Sequence, residues 1–228
     1  MSESYDLATK LTAEYFLKEL GREMEIDVES IRTLRRKGAF GDDFKVSEAL
    51  IAFAMSGDVK GLVERFPEGK GIKWVRKKFG TIVEPEEIER ISNTFYLGEH
   101  YKGRAFNFDG LWKRERPIVR RELLEKAKER FKLGVITGRS KLELKLAEEL
   151  MEFHFENAVT RELYVKPGPL ALWHLAKGEN GVYIGDTVND GLMVDGYKKE
   201  YGADFEFIMI GRDAKDVNDV IENLLDTF

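Results

Sequence analysis

Apolar residues in the first hundred positions recur at the spacing of one helix face, with little of the alternation that is typical of strands. The first such stripe consists of Leu7, Leu11, Tyr15, Phe16 and Leu20. Asp27 is a favourable N-cap for another helix, which we expect to end near Gly38. Pro85 fits the first turn of a last helix that continues through Tyr96. The pattern therefore predicts an all-helical domain over residues 1–102.

From residue 117 onward, short apolar runs alternate with stretches of helical periodicity. The runs are LGVIT at 133–137, the weaker 157–159, VYIG at 182–185 and FEFIMI at 205–210. Short strands that are apolar throughout, separated by helices, are typical of a parallel sheet covered on both faces. We therefore predict an α/β fold with a Rossmann-like core over 117–228. The segment 103–116 is interpreted as a linker or hairpin between the two domains.

Composition narrows the class of protein. The 228 residues carry a net charge of −5 and are 43% hydrophobic, which argues against a disordered chain and a general nucleic-acid binder. The absence of cysteine excludes disulfides and thiolate chemistry. No long apolar run suggests a membrane span or signal peptide, so we expect a cytoplasmic protein without a membrane partner. The 35% of charged residues, without cysteine, is also typical of thermophiles.

Residues suited to phosphate chemistry follow three of the predicted strands. Thr137 follows the first strand, Lys166 the second, and Asp186 and Asp190 the third. Because ligands bind at the carboxyl ends of parallel strands, these side chains are expected to meet at one edge. A hydroxyl and nearby backbone N–H groups can hold phosphate oxygens, a lysine offsets their charge, and carboxylates bind Mg²⁺.

Each element also has an ordinary structural interpretation. Thr137 and the glycine after it could form a plain turn, and Lys166 could be a surface lysine in a loop. Asp186 and Asp190 could be a turn residue and an acid favoured at a helix start. Their order, each at the end of a successive strand, favours a joint site over three unrelated features.

Three segments carry a family resemblance. VITGRS at 135–140, VKPGP at 165–169 and VYIGDTVNDGLMV at 182–194 resemble motifs two, three and four of the haloacid dehalogenase (HAD) superfamily. The helical region before them resembles that superfamily's inserted cap domain. The resemblance implies a phosphatase that hydrolyses a small phosphorylated metabolite through an aspartyl-phosphate intermediate. It also implies that Mg²⁺ is bound by Asp186 and supported by Asp190.

The resemblance assigns further roles around the phosphate. Thr137 would donate a hydrogen bond to the transferring phosphoryl group, and Lys166 would stabilise its negative charge. Gly138 and Arg139 would lie beside the phosphate, with Arg139 toward the substrate.

The nucleophile of that superfamily is the departure from the pattern. It is the first residue of an Asp-x-Asp motif on the central strand before the cap, and the 228 residues contain no Asp-x-Asp. The first residues already resemble the cap, so we expect that the sequence is recorded without its nucleophile segment and is inactive as given. Asn107-Phe108-Asp109-Gly110 resembles the motif, but Asn107 lacks the nucleophilic carboxylate. The alternatives are a non-catalytic HAD-fold protein that binds phosphate or a protein, and a homodimer whose chains complete each other's sheets.

Overall fold

The computed structural model describes residues 3–227. The chain divides into two compact units between Glu115 and Arg116. Residues 103–115 thus belong to the first unit, where they form turns and a short 3-10 helix and contain no strand. No helix within residues 3–227 combines the length and the apolar content needed to cross a membrane.

The first unit is all-helical over its described residues. Its α-helices are α1 (Glu3–Glu19), α2 (Val28–Lys37), α3 (Asp43–Ser56), α4 (Val59–Glu64), α5 (Ile72–Phe79) and α6 (Pro85–Leu97), followed by 3-10 helices at Gly98–His100 and Leu111–Arg114. Helix α3 packs against α1, α5 and α6, and most of its side chains are buried.

The predicted helix ends of this unit are confirmed where a cap marks them. Asp27 accepts a hydrogen bond from Ser30 N at 2.8 Å at the start of α2. Gly38 is its C-cap, and Pro85 lies in the first turn of α6. Helix α4 has only six residues, which are too few to show a periodic apolar stripe in the sequence.

The second unit alternates helices and strands, as the sequence pattern predicts. In chain order the described elements are α7 (Arg121–Arg130), β1 (Val135–Ile136), α8 (Lys141–Met151), β2 (Ala158–Val159), α9 (Leu170–Ala176), β3 (Gly181–Gly185), α10 (Val188–Tyr201), β4 (Phe205–Met209) and α11 (Val217–Thr227). The mixed α/β class and the parallel strand direction are therefore confirmed.

The strands form two separate parallel pairs. Within the described residues, β1 pairs only with β2, and β3 pairs only with β4. Apolar residues pack on both sides of the strands. Ile136 and Phe205 join one buried cluster with residues of α9 and α10, whereas Ile184 packs against a second cluster formed largely by α7 and α11.

The burial of β3 differs from the sequence expectation. All five residues of β3, Gly181–Gly185, are only half-buried, although the run reads as a fully buried strand. Val135 of β1 is half-buried as well. The physical reason is that each of these strands is hydrogen-bonded on one edge only within residues 3–227, so its other edge is open.

Candidate functional site at the carboxyl ends of the strands

Helix α10 begins at a reciprocal cap formed by Thr187 and Asp190. Thr187 Oγ1 accepts a hydrogen bond from Asp190 N at 3.2 Å, and Asp190 Oδ2 accepts one from Thr187 N at 3.0 Å. The Thr187 hydroxyl also donates to Asp190 Oδ2 at 2.6 Å. Because of this cap, the helix starts at Val188. The Asp190 carboxylate is thereby fixed just beyond the carboxyl end of β3, with 1% of the residue exposed.

Two further donors reach the other oxygen of the same carboxylate. Lys166 Nζ donates to Asp190 Oδ1 at 2.6 Å, and the Tyr183 hydroxyl donates to Oδ1 at 3.1 Å. Both oxygens of Asp190 therefore accept two hydrogen bonds each from within the chain. The structure thus brings together two of the predicted residues, Lys166 and Asp190.

The electrostatics of this cluster keep the carboxylate charged. Burial by itself raises the pKa of Asp190, but hydrogen bonds from Lys166 and Thr187 outweigh it and hold the pKa below the ordinary value. Burial, together with the negative charge of Asp190, raises the pKa of Tyr183. Tyr183 therefore keeps its proton and acts as a hydrogen-bond donor.

Asp186 lies at the same strand end but is differently placed. It is exposed and makes no hydrogen bond or ion pair with any described residue, so both of its oxygens are open to an external ligand. No group of three or more acidic or histidine side chains poised for a metal occurs among residues 3–227. Mg²⁺ is commonly held by one or two carboxylates plus water and phosphate oxygens. Asp186 fits that mode as a single protein ligand, whereas the oxygens of Asp190 are already occupied by donors.

Thr137 and Gly138 occupy the corresponding position after β1. Thr137 N donates to Val159 O at 2.9 Å, which continues the ladder to β2. Thr137 Oγ1 accepts a hydrogen bond from Arg139 N at 3.1 Å, so the chain turns tightly here. Gly138 is exposed, Thr137 is half-buried, and no hydrogen bond links Thr137 to Lys166 or Asp190. Thr137 therefore lies directly after β1, whereas Lys166 lies seven residues after the end of β2.

Sequence reasoning missed two residues of this site. The sequence pattern predicts Tyr183 only as one residue of a buried apolar strand, although its hydroxyl donates to Asp190. Gly185 was overlooked, yet a Cβ added there would lie 2.8 Å from Asp190 Cβ and Cγ. The sequence signal that could have identified both residues is their position, because a tyrosine and a glycine closely precede Asp190.

Two solved structures that resemble this chain carry different weight. A candidate phosphoglycolate phosphatase from Lactobacillus delbrueckii subsp. bulgaricus ATCC BAA-365 matches over 97% of this chain and 91% of its own, with a TM-score of 0.50. At 15% identity this likeness shows a shared α/β fold alone.

The second comparison is far closer. Phosphatase Tt82 from Thermococcus thioreducens is 64% identical, with a TM-score of 0.94 over 99% of this chain and 94% of that one. The chain belongs to the family of this phosphatase. No protein-family profile matches the chain, and neither does any curated protein sequence.

Proposed function

We propose that the protein is a Mg²⁺-dependent phosphatase of the HAD type that hydrolyses a small phosphorylated metabolite. The observation that carries the proposal is the 64% identity, over 99% of the chain, to a protein named as a phosphatase. The site geometry supports it, because a lysine and an open carboxylate follow parallel strands at the edge where such folds bind ligands.

Several residues of the chain would each contribute to phosphate binding. The Lys166 ammonium has three N–H donors, of which one is directed to Asp190, so others remain for phosphate oxygens. The Thr137 hydroxyl and the exposed backbone at Gly138 offer donors after the neighbouring strand pair. Asp186 would hold Mg²⁺, whose charge offsets that of the phosphate oxygens when it is bound.

The open edge of β3 suggests where a strand that carries the nucleophile would lie. Gly181 N donates to Asp204 O, and Gly185 O accepts from Ile210 N, so the odd-numbered residues of β3 face β4. In a parallel ladder, the N–H and C=O groups of Val182 and Ile184 then point to the opposite edge. We propose that one more parallel strand lies between β1 and β3, and that a carboxylate at its carboxyl end is the nucleophile.

The test is an assay of the 228-residue chain with Mg²⁺ and p-nitrophenyl phosphate, with and without a synthetic apolar strand peptide that ends in Asp-x-Asp. We expect little or no turnover from the chain alone and measurable turnover with the peptide. A peptide that ends in Asn-x-Asp is the matched control and should remain inactive. Lys166→Met and Asp186→Ala should each abolish the restored activity.

Two outcomes would overturn parts of the proposal. Clear turnover by the chain alone, abolished by Asp186→Ala, would mean that the nucleophile lies within the 228 residues. Turnover that is unchanged in Lys166→Met would show that this cluster is not the active site.

A non-catalytic role in binding phosphate or a protein is the second candidate. The observation that favours it is the absence of an Asp-x-Asp motif from the 228 residues. Orthophosphate binding by calorimetry, combined with no turnover in any peptide-supplemented assay, would support this role over the enzymatic one.

A further inference from the structure

We infer that Tyr183 is a positioning residue, whose hydroxyl fixes the Lys166 ammonium through their shared acceptor, Asp190 Oδ1. The inference rests on the proposed function, in which Lys166 binds a phosphate oxygen. Tyr183 lies within the third of the three motifs but is not one of their charged side chains.

The contacts of Asp190 show that the hydroxyl is not needed to satisfy a buried carboxylate. Oδ2 accepts from the Thr187 backbone at 3.0 Å and from the Thr187 hydroxyl at 2.6 Å. Oδ1 already accepts from Lys166 Nζ at 2.6 Å. The Tyr183 hydroxyl, at 3.1 Å, is a fourth donor that occupies the remaining direction at Oδ1.

The ring of Tyr183 is held independently of that hydrogen bond. It packs against the cluster around α9 and α10, and its centroid lies 6.3 Å from that of Phe207 on the neighbouring strand. A phenylalanine would keep this packing. The hydroxyl therefore reaches Asp190 from a fixed position, and it restricts Lys166 to the other lone-pair direction of Oδ1.

The Tyr183 hydroxyl therefore affects the position and orientation of the Lys166 ammonium. With the hydroxyl present, the ammonium approaches Oδ1 from one direction, and its remaining N–H groups keep a set orientation. Without it, Lys166 can move between two directions at Oδ1, so those N–H groups are no longer aimed at one phosphate position. Preorganised donors bind an anion better than mobile ones.

The first experiment measures orthophosphate affinity of the full chain by calorimetry, for wild type and Tyr183→Phe. We expect Tyr183→Phe to weaken binding roughly three- to tenfold, in line with the loss of one ordering contact. Tyr197→Phe is the matched control. Its hydroxyl accepts from Gly178 N at 3.0 Å and donates to Glu179 O at 3.1 Å within the same cluster, away from Asp190.

Lys166→Met then tests whether the effect passes through the lysine. If Tyr183 acts through Lys166, adding Tyr183→Phe to Lys166→Met should change the affinity no further. An equal loss in both backgrounds would overturn the inference, and so would identical affinities of the Tyr183→Phe and Tyr197→Phe variants.

A second readout does not depend on phosphate binding. The ¹⁵N signal of the Lys166 ammonium, assigned by its loss in Lys166→Met, should be sharp in wild type and in Tyr197→Phe but broadened in Tyr183→Phe. An unchanged signal in Tyr183→Phe would refute the positioning role. If neither wild type nor any variant binds orthophosphate, the phosphate-binding role proposed for this site is contradicted, while the ¹⁵N comparison still decides the role of Tyr183.

Discussion

At the scale of single residues, Asp190 links the local fold to the candidate chemistry. One oxygen starts α10 through Thr187, and the other holds Lys166. Removing its charge should therefore disturb a helix end and an ion pair together. A buried, fully hydrogen-bonded carboxylate of this kind also gives stability a predictable dependence on pH.

We predict that Asp190→Asn lowers the free energy of unfolding at neutral pH by about 2 kcal/mol, because charge-assisted hydrogen bonds are lost. The pKa of Asp190 in the folded chain lies below its ordinary value of 3.8. Its contribution is thus complete above that ordinary value and is lost as the pH falls through the lowered folded pKa.

Thermal unfolding from about pH 6 to about pH 3 checks the sign of this effect. Wild type should lose more stability over that range than Asp190→Asn does. Asp195→Asn, an exposed acid on the same helix, is the control and should follow wild type. Parallel pH profiles for wild type and Asp190→Asn would contradict the prediction.

Only those features of the site that depend on local sequence patterns were predictable from the sequence. Lys166 and Asp190 could be placed near one another because both follow short apolar strands. The contribution of Tyr183 could not, because it depends on which face of β3 lies under α10. That pairing is set by tertiary packing, and no local pattern along the chain encodes it.

At the scale of elements, the close approach of α10 to β3 requires a glycine at position 185. A Cβ there would lie 2.8 Å from Asp190 Cβ and Cγ, which is far inside van der Waals contact. The first turn of the helix would have to shift, and Asp190 would move with it.

We therefore predict that Gly185→Ala destabilises the fold by about 1–3 kcal/mol and weakens orthophosphate binding. Gly138→Ala is the steric control for stability, because a Cβ at that position meets nothing within 4 Å. Chemical denaturation and calorimetry measure the two effects. A Gly185→Ala variant as stable as Gly138→Ala would show that α10 can relax without cost.

The open edge of β3 leads to a second prediction, which concerns amide hydrogen exchange along this strand. Amides of Tyr183 and Gly185 face β4, whereas those of Val182 and Ile184 point to the edge where residues 3–227 supply no partner. We expect Val182 and Ile184 to exchange their amide hydrogens faster than their two neighbours in NMR experiments. Equal protection along the strand would mean that another group already pairs this edge.

Helix boundaries can be predicted from sequence patterns, whereas the burial of a strand cannot. Helices with a strong cap, such as α2 after Asp27 and α6 at Pro85, were placed closely. The half-burial of β3 was not foreseen from its composition, because an apolar run predicts the environment that a strand prefers. Whether neighbouring strands are present to provide that environment is a property of the whole sheet.

At the scale of the whole molecule, the two units differ in how completely their cores are closed. Helix α3 lies at the centre of the first unit, and residues such as Leu50 and Phe53 have no exposed surface. In the second unit all five residues of β3 are half-buried, and each strand is paired on one edge only within residues 3–227. The second unit should therefore be the more readily unfolded, and the one that an added strand stabilises.

We predict that an apolar peptide able to form a fifth strand raises the unfolding midpoint of residues 116–228. Since it binds the folded unit and not the unfolded chain, the peptide at a concentration of 100 times its Kd should add about 2.7 kcal/mol. Hydrogen exchange followed by mass spectrometry reports each unit separately, and α3 serves as the internal reference. A peptide of the same composition with proline at its centre is the control, because it cannot complete the ladder on both edges. Equal stabilisation by both peptides would indicate nonspecific apolar binding, whereas protection gained at Val182 and Ile184 only with the first would place the added strand on the open edge of β3.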